Sequence, residues 1–139
     1  MISVQIIYRV LGYAGLIPFV IPAYLVVAGS AHADLSVAIA GAYAFGIICF
    51  LTGSWWGMAL TSGHRAPLLL SNLYFLVAFF IFLFALPWWP LASAVLLIGI
   101  FVAELNTHLF PEFPALYRKM RTTLTLVASI SMLAVHLFR

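Results

Sequence analysis

Glu104 and His108 stand four residues apart in an otherwise apolar stretch, a spacing that puts both on one face of a helix. A carboxylate beside an imidazole at membrane depth can take up and release protons or coordinate a cation, and intramembrane acids often mark such paths. Asn106 lies nearby but turned away, and Arg65, Arg9 and Arg121 are the possible counter-ions. The simpler role is structural: Glu104 pairs with Arg65 or Arg121 and pins its helix to a neighbour. That role is preferred because a group so close to the interface snorkels cheaply.

Four histidines raise the question of haem or metal. His64 and His108 would face one side, and His32 and His136 the other, so two facing pairs could in principle ligate two b-type haems. His32 and His64 fall in loops, however, and no paired helical spacing recurs, so no haem is expected. No zinc is expected either, because no cluster supplies four ligands at a recognisable spacing. The lone Cys49 excludes an internal disulfide and reads as a packing residue. Nucleophile elbows, phosphate loops and paired acids are missing, so neither an enzyme nor a cofactor is expected.

These groups are carried by a chain that water cannot solvate. Of 139 residues, 66% are hydrophobic and 6% charged, with a mean hydropathy of +1.21, where ordinary soluble domains carry about a quarter charged residues. The exterior must therefore be covered by lipid, and the composition implies an all-α polytopic transmembrane bundle forming one domain over residues 1–139. About 20 helical residues cross the hydrocarbon, which divides the chain into five spans near 6–28, 35–60, 68–86, 91–109 and 122–138. Short joints between them imply sequential antiparallel neighbours. Pro67 and Pro90 suit helix starts, and Pro87, Pro111 and Pro114 suit helix ends. Pro18 and Pro22 lie inside the first span and predict a kink, its freed carbonyls satisfied by neighbouring helices or water.

The net charge of +3 reads as membrane orientation, with no nucleic-acid partner. Arg9, Arg65, Arg118, Lys119 and Arg121 fall on one side of the five-span layout, and Asp34 and Arg139 on the other. The positive-inside rule then puts the N-terminus in the cytoplasm and the C-terminus outside. Tyr8, Trp55, Trp56 and Tyr117 would mark the inner interface, and Tyr24, Trp88 and Trp89 the outer one. Arg9, the first apolar run and Ala31-His32-Ala33 also resemble a signal peptide, but the run is nearer span length and is expected to be retained. The lack of an Arg-rich, Ser-rich leader argues for a bacterial inner membrane.

Small residues allow close helix approach in lipid. Gly12 and Gly15 in the first span, and Ala38, Ala42 and Gly46 in the second, are candidates for it. Gly53 and Gly57 form a GxxxG, expected to pack the second span against the first or fifth, with a homodimer face as the sharper alternative.

Several stretches resemble the transmembrane protein 69-like family, small multi-span proteins of unknown function in bacterial inner membranes and mitochondria. They are Leu11 to Val20 (LGYAGLIPFV), Tyr43 to Gly57 (YAFGIICFLTGSWWG) and Pro114 to Thr125 (PALYRKMRTTLT). The resemblance implies that Gly53, Trp56, Gly57, Tyr117, Arg118 and Arg121 are motif residues, and that Glu104 matches an acidic residue ahead of the third motif. Before the Trp-Gly pair the family usually carries His or Arg, where this chain has Trp55. No reaction comes with the resemblance.

Two roles remain. The favoured one is a non-catalytic auxiliary or assembly subunit that packs in the bilayer as a homo-oligomer or within a larger membrane complex. The alternative is an oligomeric transporter or channel whose path passes Glu104, His108 and the hydroxyls of Ser129 and Ser131.

Overall fold

A computed structural model describes residues 3–106 and 115–139. Among them the chain is all helical, and five helical stretches are long and apolar enough to cross a membrane. The first span is two helices, α1 (Val4–Ala14) and α2 (Ile17–Val27). The others are α3 (Ala33–Ser62), α4 (Ala66–Phe84), α5 (Trp89–Asn106), which a 3-10 turn over Leu86–Trp88 introduces, and α6 (Ala115–Phe138). This is the architecture of a small polytopic membrane protein.

The kink expected from Pro18 and Pro22 lies about one turn upstream of Pro18, at Gly15 and Leu16. Pro18 occupies the second position of α2, where a missing N–H costs nothing, and only Pro22 is inside a helix. Phe19 N–H turns to the Leu16 carbonyl instead of that of Gly15. The Tyr43 hydroxyl of α3 donates to the orphaned Gly15 carbonyl at 2.9 Å, so a neighbouring helix satisfies the break, as lipid requires. At the other end α6 is already helical at Ala115, ahead of the expected start near residue 122, because the Tyr117 to Arg121 stretch joins the helix instead of leading into it.

α3 is the central helix. It packs on α2, α4 and α5, while α6 packs on α5 and α2. Thirty residues make α3 about 45 Å long, longer than the ~30 Å hydrocarbon layer, so its ends reach the interfacial zones. It stops at Gly63, whose φ of 77° is left-handed and suits glycine.

Side chains tie the helices together through backbone carbonyls. Ser71 donates to the Thr52 carbonyl at 2.7 Å (α4 to α3), Tyr74 to Leu96 at 2.9 Å (α4 to α5) and Trp89 Nε1 to Gly41 at 2.8 Å (α5 to α3). Ser129 donates to the Ala94 carbonyl at 3.4 Å (α6 to α5). Each such tie in lipid is worth about 0.6 kcal/mol on average. The small-residue contacts are specific: Gly12 faces the Met120 sulfur, Gly41 admits the Trp89 indole, and a Cβ on Gly99 would collide with the Tyr74 hydroxyl.

Two expectations are corrected here. On α3 the buried small residues are Ser36, Ala40, Gly41, Ala44 and Ala59, whereas Ala38, Ala42 and Gly46 face outward. Gly53 and Gly57 also face outward, with nothing within 4 Å of an added Cβ, so they do not pack α3 against the first or fifth span. Trp55 and Trp89, expected as interface anchors, are both wholly buried, while Trp56, Trp88 and Tyr24 are exposed. Each buried indole N–H has found an acceptor inside the bundle, Glu104 for Trp55 and the Gly41 carbonyl for Trp89.

Candidate functional site

Three helices converge on Glu104. α5 brings the carboxylate inward, α6 supplies Arg121 and α3 supplies Trp55. Arg121 Nη2 donates to Oε2 at 2.8 Å, and Trp55 Nε1 donates to Oε1 at 3.0 Å, so each oxygen holds one donor. The Arg121 and Glu104 side chains are 9% and 6% exposed, which makes this a buried ion pair. Phe101, one turn before Glu104 on α5, places its ring centroid 5.8 Å from the guanidinium carbon, within cation–π range. The Trp55 ring is itself held edge-on by Tyr74 at 5.9 Å.

The geometry explains the residue types. A planar, permanently charged guanidinium tolerates low dielectric and can donate while stacking on a ring, which an ammonium does less well. A buried carboxylate without partners would carry a large desolvation cost, and two donors compensate it. Among the described residues no buried side-chain nitrogen or oxygen lacks a hydrogen-bond partner. The arrangement is suited to locking α3, α5 and α6 in register.

Of the sequence-derived candidates, Glu104 and Arg121 are thus brought together. Arg65 is exposed at the N-cap of α4, and the ion pair at Glu104 is made by Arg121. His108 lies outside the described residues, as do Pro111 and Pro114. His32 and His64 are exposed, and His136 packs on Trp88 at 5.7 Å. Ser129 and Ser131 are buried within α6. No group of three or more metal-ligating side chains occurs among the described residues. Trp55 is the site residue that the sequence did not reveal.

A family profile, that of a protein of unknown function termed DUF3429, matches residues 4–137. The chain belongs to this family. The match covers all five spans of the DUF3429 chain and brings no activity with it. Comparison with curated proteins and with solved structures found no match.

The other residues expected from the sequence as motif residues occupy three settings in this DUF3429 chain. Gly53, Trp56 and Gly57 share the outward face of α3. Tyr117 is half-buried on α6, one turn before Arg121, and meets the Tyr8 ring edge-on with centroids 5.4 Å apart. Arg118 is exposed beside it. Behind the Tyr8–Tyr117 pair lies a groove of about 350 Å³ between α1 and α3, floored by α6.

Proposed function

We propose that this chain is a non-catalytic integral membrane subunit that serves the assembly or support of a larger membrane complex. It resides in a bacterial inner membrane with its N-terminus in the cytoplasm and its C-terminus outside, and it is kin to the transmembrane protein 69-like proteins. The supporting observation is the state of Glu104: both oxygens of the intramembrane carboxylate are engaged, by Trp55 and by Arg121. A proton or cation carrier needs a carboxylate that can exchange partners, and this one is clamped by fixed donors. The apolar exterior of α3 and α4 leaves long helical faces for lipid or for partner helices.

Purification in mild detergent, with mass measurement and identification of co-purifying chains, tests this reading together with a liposome assay. The expected result is an assembly heavier than one chain and no proton-coupled flux above that of empty vesicles. Flux that disappears in Glu104→Gln would replace the subunit with an oligomeric transporter.

A further inference from the structure

The break at Gly15 and Leu16 does more than bend the first span. α2 packs on both α3 and α6, whereas α1 packs chiefly on α6. α1 therefore stands away from α3 and leaves a slot between them. Leu11 and Ile47 face each other across it, Leu124 lines its floor, and Phe19 and Tyr43 close its deep end. Leu11 and Phe50, both strongly exposed, flank an opening toward the bilayer.

From Tyr8 to Phe19 the slot follows eleven helical steps, about 16 Å, which matches half of the ~30 Å hydrocarbon layer. A helix ~10–12 Å across and that long fills more than about 1,200 Å³, whereas the slot holds about 1010 Å³ even counted out to its open side, so it is too small for a helix and suits a thinner apolar chain such as a hydrocarbon tail.

The mouth decides which tail. Arg9 and Arg118 directly follow the two tyrosines there, and both are exposed. Among the described residues Glu104 is the acid that makes a salt bridge, and Arg121 takes it. The mouth is thus cationic above an apolar slot, complementary to an anionic headgroup above an acyl chain.

We propose that the slot between α1 and α3 holds one acyl chain of an anionic glycerophospholipid, with its phosphate against Arg9 and Arg118. Tyr8 and Tyr117 stand at the level of the ester region, and Arg121 remains engaged with Glu104 beneath it. The site uses the splay of α1 and is independent of what partner the protein assembles with.

The test uses the full chain in nanodiscs made from phosphatidylglycerol and phosphatidylcholine, the former carrying a mid-chain diazirine. Crosslinks should concentrate at Leu11, Ile47, Phe50 and Leu124, and native mass spectrometry after gentle detergent release should retain one phosphatidylglycerol in preference to phosphatidylcholine. Arg9→Gln and Arg118→Gln, both on exposed sites, should each reduce that preference about fivefold. Ile47→Trp should remove the slot crosslinks while the double arginine variant keeps them. Crosslinks spread evenly around the exterior would overturn the proposal. So would an unchanged headgroup preference in the double variant, or a slot that stays unlabelled while the rest of the exterior is labelled.

Discussion

At the scale of single residues, the Trp55–Glu104–Arg121 cluster makes unequal demands on its members. Replacing Glu104 by Gln leaves Arg121 charged and buried without its counter-charge, a loss expected to cost about 3–5 kcal/mol. Trp55→Phe keeps an aromatic ring but removes the indole N–H, with its hydrogen bond to a charged acceptor, and leaves part of a wholly buried site unfilled, expected to cost at least about 1.5–3 kcal/mol. The Glu104→Leu, Arg121→Leu double variant should recover much of the loss of either single change, because apolar packing replaces two desolvated charges. Unfolding midpoints in detergent micelles check all three, and a double variant as unstable as the sum of its parts would refute the pairing. Glu104 was legible in the sequence because an acid within an apolar run must find a partner. Arg121 was legible only as one of three arginines that could serve as its counter-ion. Trp55 was not, since a tryptophan near a span end is ordinarily an anchor, and only the rotation of α3 aims its indole inward.

At the scale of helices, glycines that look alike in sequence differ in what they meet. Gly99→Ala drives a methyl into the Tyr74 hydroxyl and is expected to destabilise the bundle by about 1–3 kcal/mol. Adding Tyr74→Phe should relieve most of that, although alone it forfeits the tie to Leu96. Gly53→Ala and Gly57→Ala meet open space and should change stability by less than about 1 kcal/mol in either direction. Equal losses at all three sites, in the same micelle assay, would contradict the placement of α3. The spans themselves were readable because hydrocarbon thickness imposes a length on every crossing. Their faces were not, because lipid and core are both apolar: on α3 the outward Ala38, Ala42 and Gly46 and the inward Ala40, Gly41 and Ala44 differ in nothing that hydropathy records. The prolines drew the expected kink toward themselves, whereas the helix yields one turn upstream, where Gly15 offers a carbonyl to Tyr43.

At the scale of the whole molecule, charge and crossing number act together. Arg9, Arg65, Arg118 and Lys119 stand near the N-terminal end of the first span, the joint between α3 and α4, and the start of α6, which alternate crossings bring to one side. Asp34 and Arg139 share the rim of a second cavity with Trp89 and Pro90 at the other side. Translocating four cations costs more than translocating one, so the basic side is expected to stay in the cytoplasm. In a Cys49→Ala background, Ser62→Cys should resist a membrane-impermeant maleimide in intact cells and react once the membrane is opened, while Ala31→Cys should react from outside. Both positions are exposed, so accessibility and not burial governs labelling. Labelling of Ser62→Cys with protection of Ala31→Cys would invert the orientation while keeping the bundle. Equal labelling of both in intact cells would place two ends of α3 on one side, which a 30-residue helix crossing the bilayer forbids.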